Sequence, residues 1–129
     1  MNHKQIIQTD EAPAAVGPYS QAVVVTGGKT VYISGQIGLD PKTGELVSEN
    51  FEAQVRQCFS NLSAVIQAAG GRLEQVVKLN LFLTDLSKFA SVNAIMAELM
   101  PEPYPARSTI EVTSLPKNCQ FEVEAILVI

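Results

Sequence analysis

Strict alternation of residues between two faces, in two segments, is the feature that most limits what this chain can fold into. Residues 76–84, VVKLNLFLT, alternate apolar and mostly polar side chains after the first position. Residues 120–129, QFEVEAILVI, place one apolar set on one face and two glutamates with two branched aliphatics on the other. A period of two residues is that of a β-strand with one buried face. We therefore expect two half-buried strands in a sheet.

Two other segments have the period of an amphipathic helix. Residues 51–69 carry apolar side chains at spacings of three and four. Asn50 suits the N-cap, and the Gly-Gly pair at 70–71 suits the left-handed position at a helix end. A second helix follows Thr84 or Asp85. Its apolar stripe is Leu86, Phe89, Val92, Met96 and Leu99.

The earlier part of the chain reads as a β-hairpin. Tyr19–Thr26 and Thr30–Gln36 are rich in β-forming residues, and a Gly-Gly pair at 27–28 separates them. The first ten residues show no pattern. The element order is then strand, strand, helix, strand, helix, strand, strand. It predicts one α+β domain, residues 1–129, with two helices packed on one face of a mixed sheet.

Three polar or flexible positions interrupt these patterns. Ser34 and Gly35 lie inside a strand, where a glycine marks a bulge or the close approach of a ligand; a simple strand end fits equally. Asn93 lies one turn from Phe89 and Met96, so its amide falls on or beside the apolar stripe and must find hydrogen-bond partners there. A position at the surface edge of the helix is the alternative for Asn93.

Arg107 stands at the start of a β-forming run, STIEV, at residues 108–112. The three prolines at 101, 103 and 105 stop any preceding helix and keep the approach extended. A guanidinium held in this way suits a carboxylate or phosphate, because two parallel hydrogen bonds set both position and orientation. A solvated arginine, or one paired with a neighbouring acid, is the alternative.

Two glutamates near the end of the chain are candidate partners for this site. Arg107, Thr109 and Glu111 share one face of their strand, and Glu122 and Glu124 share one face of the last strand. If these two strands pair as a hairpin in a symmetric register, the two faces lie side by side and one pocket contains an arginine and a glutamate. A solvated or salt-bridged face is the alternative.

Composition excludes several classes of function. The net charge is −4 and no run of basic residues occurs, so nucleic acid is a poor partner. No segment approaches the roughly 20 apolar residues of a membrane span, and no apolar leader follows Met1, so we expect a cytoplasmic protein. Cys58 and Cys119 should be free thiols. His3 is the only histidine, which leaves no residue for a histidine triad or a histidine-ligated metal.

Six stretches of the sequence carry a resemblance to a known family. They read APAAVGPYSQ, ISGQIGLDPKTGEL, QVRQCFSNL, VVKLNLFLTDLSKFASVN, YPARSTIEVTSLPK and FEVEAILV. Over about residues 4 to 129 the chain resembles the reactive intermediate deaminase A (RidA) family, also called the YjgF-like or translation-inhibitor family. Thr109 departs from it, because many members carry a cysteine there.

That resemblance implies a chorismate-mutase-like fold and a homotrimer with three clefts between subunits. It implies hydrolysis of enamines and imines, such as 2-aminoacrylate and 2-iminobutanoate, to 2-keto acids and ammonia without a cofactor. Arg107 would hold the substrate carboxylate with the backbone amide of Thr109, and Glu122 would position the attacking water, with Glu124 and Glu111 as other candidates. The rest of the cleft, partly from the neighbouring chain, would be Tyr19, Ser34, Gly35 and Asn93.

The expected chemistry agrees with the residues present. The carbon of a protonated imine is already electrophilic, so the site needs orientation, a held water and a proton route. Two other functions remain open. One is a module that binds 2-keto acids without turnover. The other is a ribonuclease or translation inhibitor, against which the acidic charge and the lack of a basic aromatic stripe weigh.

Overall fold

The computed structural model describes residues 3–129, which form six strands, two α-helices and three short 3-10 turns. The strands are β1 His3–Ile7, β2 Ala22–Thr26, β3 Thr30–Ile37, β4 Val76–Leu83, β5 Ala106–Glu111 and β6 Phe121–Val128. The helices are α1 Phe51–Ala68 and α2 Phe89–Leu99. The 3-10 turns are Leu73–Gln75, Leu86–Lys88 and Pro116–Asn118.

The main sheet has four strands in the order β3, β6, β4, β5, and β1 pairs with β2 in a separate two-stranded sheet. In the main sheet β4 and β5 run parallel, whereas β6 runs antiparallel to both of its neighbours. Buried residues of α1 and α2 join those of the sheet in one hydrophobic core. The predicted α+β class, with two helices on one face of a mixed sheet, is confirmed.

The predicted hairpin of the second and third strands is wrong. The turn itself is present, since Gly27 and Gly28 have φ values of 77° and 79°. However, β2 pairs with β1, a strand formed by residues in which the sequence showed no pattern. β3 pairs instead with β6, where Ile33 lies opposite Ala125. A glycine turn sets only a change of direction, whereas the partner is set by which apolar faces can be buried together.

The predicted hairpin of the last two strands is also wrong. β6 lies between β3 and β4, and β5 pairs only with β4. β4 and β6 each bury a row of apolar side chains, so they take the two central positions, where both of their edges are paired. β5 carries fewer apolar residues, and its Ile110 is 48% exposed. It therefore takes an edge of the sheet, and β4 separates Arg107 from the glutamates of β6.

Helix α1 begins and ends as its sequence predicts. The side chain of Asn50 accepts a hydrogen bond from the backbone N–H of Ala53 at 2.9 Å, which makes Asn50 the N-cap. Gly70 follows the helix with φ +87°, a value that favours glycine. The helix packs against Phe121, whose ring lies 6.3 Å from Phe51 and 6.0 Å from Phe59, measured between centroids.

Helix α2 starts later than the stripe suggested. Asp85 caps the preceding 3-10 turn by accepting a hydrogen bond from the N–H of Ser87 at 3.0 Å, and the α-helix begins at Phe89. Leu86 is therefore not part of the buried stripe; it is 40% exposed. Val92 and Met96 are fully buried, as expected.

The alternation in β4 is confirmed except at its first residues. Leu79, Leu81 and Leu83 are fully buried, and so is Val76. Val77, predicted on the buried face, is only partly buried, because the register against β6 shifts between Val76 and Lys78. The shift leaves the buried face of the strand intact.

The sheet face opposite the helices, which we call the open face, is partly apolar. Its residues include Tyr32, Phe82, Ile110, Glu122, Glu124 and Ile126. Tyr32 is 77% exposed. None of the helices formed by residues 3–129 is long and apolar enough to cross a membrane.

Candidate active site

Arg107 is held at the start of β5 by the segment that contains Tyr19. The backbone N–H of Ser20 donates to the carbonyl of Pro105 at 2.9 Å, and the hydroxyl of Ser20 donates to the carbonyl of Tyr104 at 2.5 Å. Ser20 also forms an isolated parallel bridge with Ala106. The residues before β5 are thus fixed from the side by hydrogen bonds, which restricts where the arginine emerges.

The guanidinium of Arg107 lies in a half-buried position among one amide and two aromatic rings. Its Nη1 donates to Asn93 Oδ1 at 2.7 Å and approaches Met96 Sδ at 3.5 Å. Its Cζ lies 4.8 Å from the centre of the Tyr19 ring and 5.3 Å from that of Phe89. Burial lowers the pKa of Arg107 from its usual value. An arginine stays protonated in proteins, so the site holds a positive charge at neutral pH.

This charge has no acidic partner among residues 3–129. The salt bridges in that part of the chain join Arg56 to Glu98 and Arg72 to Glu74, both at the surface. Hydrogen bonds to Asn93 and Met96 use Nη1 of Arg107 and leave Nε and Nη2 for another acceptor. A guanidinium edge with two free donors matches the two oxygens of a carboxylate.

A cavity of about 180 Å³ opens beside the guanidinium, lined by Tyr19, Phe89, Arg107 and Thr109. The Oγ1 of Thr109 is buried and has no hydrogen-bond partner within the described chain. Buried hydroxyls normally have a partner, so this atom is suited to meet a polar ligand. Larger cavities exist elsewhere, for example one of about 450 Å³ between α1 and α2, whose arginine, Arg56, is paired with Glu98.

Asn93 is oriented by a close contact with a glycine. A Cβ atom at Gly17 would lie 3.0 Å from Asn93 Nδ2, so the absence of a side chain lets this segment pack against the amide. The same segment is braced by Gln21, which accepts from the N–H of Thr9 at 2.7 Å and donates to the carbonyl of Pro13 at 2.7 Å. Gly17, Gln21 and Phe89 were not recognised as site residues from the sequence. The proline and glycine content around Tyr19 was the only signal for the first two.

Glu122 lies elsewhere, on the open face beside the bulge in β3. The register of β3 against β6 shifts between Ile33 and Gln36, which confirms a bulge at Ser34 and Gly35. A Cβ atom at Gly35 would overlap the carboxylate of Glu122. The glycine is therefore required for the close approach of the strand to this carboxylate.

Glu122 differs from the other candidate glutamates in that its carboxylate accepts no hydrogen bond from residues 3–129. Glu124 accepts from Asn80 Nδ2 at 3.2 Å, and Glu111 accepts from the N–H of Leu86 at 2.8 Å. The backbone of Glu122 is paired within the sheet, so the carboxylate is the part of this residue without a partner in the described chain. Burial, followed by the charge of Glu124, raises the pKa of Glu122. It is the carboxylate whose proton affinity and lone pairs are available to a ligand or water.

Arg107 and Glu122 do not share one pocket within this chain. Arg107 lies opposite Leu79 on the helix-covered side, whereas Glu122 lies opposite Phe82 on the open face. The expected common face is wrong, because β5 pairs in parallel with β4 and not with β6. We call Tyr19, Phe89, Asn93, Arg107 and Thr109 the arginine half-site. We call Ser34, Gly35 and Glu122 the glutamate half-site.

Both cysteines are free, as predicted, and both are buried. Their thiols donate to the same carbonyl, that of Phe121, at 3.6 Å from Cys58 and 3.5 Å from Cys119. Burial raises the pKa of each thiol. Residues 3–129 contain no cluster of three His, Cys, Asp or Glu side chains that could hold a metal ion.

Comparisons with known proteins place this geometry in context. A family model described as Endoribonuclease L-PSP matches residues 9–129. A 2-iminobutanoate/2-iminopropanoate deaminase of Dermatophagoides farinae is 46% identical over 129 residues, 100% of this chain and 99% of that protein. The crystal structure of RidA from an Antarctic Psychrobacter is 56% identical and covers 97% of this chain and 99% of its own, with a TM-score of 0.76. The structure of E. coli TdcF with bound serine is 38% identical and covers 97% and 98%, with a TM-score of 0.73.

Proposed function

The chain belongs to the Endoribonuclease L-PSP family, which includes the reactive intermediate deaminases, and we propose that it hydrolyses 2-imino acids and their enamine tautomers to 2-keto acids and ammonia. Substrates of this class include 2-aminoacrylate and 2-iminobutanoate. The observation that carries the proposal is the unpaired, half-buried guanidinium of Arg107, which faces a small cavity. Full-length relatives named as deaminases support it.

Arg107 binds the substrate carboxylate through Nε and Nη2. Its Nη1 is already used by Asn93 and Met96, so the guanidinium plane cannot rotate freely and the two remaining donors keep one direction. The backbone N–H and the hydroxyl of Thr109 supply further hydrogen bonds at the floor of the cavity. The bound serine of the E. coli relative, itself a carboxylate, agrees with a ligand of this chemistry.

Glu122 acts first as a base that takes a proton from the attacking water and then as an acid that returns it. An imine that carries a proton on nitrogen has an electrophilic carbon, and the water oxygen attacks that carbon while Glu122 takes a proton. Glu122 then passes this proton to the nitrogen of the tetrahedral intermediate. The C–N bond breaks and ammonia leaves, while Glu122 takes the hydroxyl proton as the C=O bond forms. Ammonia then takes this proton, so the products are a keto acid and ammonium. Enamines enter the same route after protonation at carbon.

The raised pKa of Glu122 suits this role. A carboxylate whose charged form is destabilised by burial binds a proton more readily than an ordinary glutamate does. It therefore accepts a proton from water and returns it within one turnover. These steps move only protons and break no bond by oxidation or reduction, so no redox cofactor takes part in them.

A homotrimer brings the two half-sites together. The open face carries apolar residues that are exposed in the single chain, including Tyr32 and Ile110. Exposed apolar sheet faces favour association, and the same face carries Glu122. In a closed ring of three chains, the glutamate half-site of one chain meets the arginine half-site of the next. The assembled mass would be about three times 13.9 kDa, which light scattering measures directly.

The test is a coupled assay in which a threonine dehydratase generates 2-iminobutanoate from threonine in place, and the rate of 2-ketobutyrate formation is followed. We expect the protein to accelerate hydrolysis above the spontaneous rate. No acceleration by a trimeric preparation would reject the deaminase proposal.

A binding module without turnover is the second candidate. The observation that favours it is that the arginine half-site lies within one chain and contains every group needed to bind a carboxylate. Titration calorimetry with 2-ketobutyrate separates the two functions. Binding without acceleration of imine hydrolysis would support the module.

A further inference from the structure

We propose that Asn61, on helix α1, is a positioning residue that holds the bulge of β3 against the carboxylate of Glu122. The inference rests on the proposed function and adds a residue that acts on turnover through Glu122, not on carboxylate binding. Asn61 is half-buried and belongs to neither half-site.

The side-chain amide of Asn61 uses both of its N–H donors on the end of β3. Its Nδ2 donates to the carbonyl of Ile37 at 3.1 Å and to that of Leu39 at 3.0 Å. The N–H of Leu39 also donates to the carbonyl of Ile37 at 2.8 Å, so the chain turns tightly there. One side chain of α1 therefore fixes both the last residue of β3 and the turn that follows it.

The preceding turn of α1 sets the orientation of this amide. Gln57 Nε2 donates to Asn61 Oδ1 at 2.8 Å. The two residues lie four positions apart, the spacing that brings side chains together on a helix. Because Oδ1 is held in this way, Nδ2 is the atom that Asn61 presents to β3.

The end of β3 depends on such a contact because few strand pairs hold it. In the described chain, β3 pairs with β6 at four positions before the bulge and at two after it, Gln36 with Val123 and Ile37 with Glu122. A strand end with so few pairs opens more readily than the rest of a sheet. The two hydrogen bonds from Asn61 supply a connection to the helix at this point.

The same strand end lies against Glu122. Ile37 is opposite Glu122 in the register, and a Cβ atom at Gly35 would overlap the Glu122 carboxylate. Only Gln36 separates Gly35 from Ile37, so a movement of Ile37 also moves the backbone that packs on the carboxylate. A misplacement of about 1 Å in a catalytic group can cost about 100-fold in rate. Asn61 therefore acts on the chemical step through the position of Glu122.

The experiment compares Asn61→Ala, which removes both donors, with Gln57→Ala, which removes only the group that orients them. Gln67→Ala is the matched control, because this amide of the same helix donates to Ser63 Oγ at 3.3 Å and makes no contact with β3. The dehydratase-coupled assay gives kcat and KM, and calorimetry gives the affinity for 2-ketobutyrate. Hydrogen exchange of residues 34–39, followed by mass spectrometry, reports on the strand end, with residues 76–83 as the internal reference.

We expect Asn61→Ala to lower kcat by about 10-fold or more, with KM and 2-ketobutyrate affinity within about threefold of the original values. Exchange at residues 34–39 should become faster while exchange at residues 76–83 is unchanged. Gln57→Ala should lower kcat by about two- to fivefold, because it keeps both donors and loses one hydrogen bond. Gln67→Ala should match the original protein in every measurement.

Faster exchange with an unchanged kcat in Asn61→Ala would overturn the inference and leave the proposed function standing. Equal losses of kcat and affinity would also overturn it, because they indicate a general loss of structure. If Asn61→Ala does not fold, Gln57→Ala decides: a lower kcat with unchanged affinity supports the inference, and an unchanged kcat overturns it.

If the original protein accelerates no imine hydrolysis, the proposed function fails, and the placement of Glu122 is then measured directly. The carboxyl ¹³C resonance of Glu122 is assigned by its absence from the spectrum of Glu122→Gln. A shift of this resonance in Asn61→Ala, but not in Gln67→Ala, supports a role of Asn61 in positioning the carboxylate. An unshifted resonance overturns it.

Discussion

The arginine half-site and the glutamate half-site differ in how much of each one chain provides. Arg107 is oriented by Asn93, Tyr19 and Phe89 of its own chain and faces a defined cavity. Glu122 has Gly35 beside it on the open sheet face, and its carboxylate forms no hydrogen bond within the described residues 3–129. Under the proposed function, the groups that would bind the carboxylate are organised within one chain. The group that would act at the imine has to be brought to the ligand from another surface.

The largest effect is expected from Glu122→Gln. The amide keeps the size of the side chain but cannot accept a proton from water, so turnover in the dehydratase-coupled assay should fall by about 100-fold or more. Affinity for 2-ketobutyrate should stay within about threefold. Glu124→Gln is the control, because Glu124 is engaged by Asn80. Equal losses in the two variants would show that the assignment to Glu122 is wrong.

Arg107→Lys should have the next largest effect, and on binding. An ammonium is a point charge without the planar pair of donors, so the carboxylate loses its bidentate contact. Loss of such a desolvated contact costs about 2 kcal/mol or more, which is about a 30-fold loss of 2-ketobutyrate affinity by calorimetry. Arg56→Lys, at an exposed salt bridge, should bind normally. Normal binding by Arg107→Lys would place the anion anchor elsewhere.

Two glycine substitutions should separate the half-sites with a smaller effect. Gly35→Ala places a methyl group where the Glu122 carboxylate lies, so we expect about a 10-fold loss of turnover with affinity nearly unchanged. Gly17→Ala crowds Asn93, so we expect its main effect on affinity. Calorimetry measures the affinity of both variants for 2-ketobutyrate, and the coupled assay measures their turnover. Identical profiles for the two variants would contradict a division between binding and chemistry.

The smallest effect concerns pH. Burial and then the charge of Glu124 raise the pKa of Glu122, and the carboxylate is the working form. As the pH is lowered, activity should therefore be lost at a higher pH than it would be if the base were a glutamate with an ordinary pKa. Glu124→Gln removes one cause of the raised pKa of Glu122. The pH at which activity is lost on the acid side should therefore move lower, by less than one pH unit. The exposed Glu11→Gln is the control, and an unchanged pH of activity loss in Glu124→Gln would argue against Glu122 as the titrating group.

Local patterns predicted the elements well and their partners poorly. The cap at Asn50, the left-handed Gly70 and the buried leucines of β4 follow from residues close in sequence. Both predicted hairpins were wrong, because strand pairing depends on segments far apart in the chain. Even β1 was missed, since five residues with mixed polarity carry too weak a period to be recognised alone.

The sequence by itself determined the class of fold and the kinds of groups available for chemistry. Period, caps and turn residues act over a few positions, and a single histidine with an acidic net charge limits the chemistry whatever the fold. Only the tertiary structure decided that Arg107 and Glu122 lie on opposite faces of the sheet. That outcome depends on β4 lying between β5 and β6. β4 lies there because a central strand can pair along both edges and bury its row of apolar side chains.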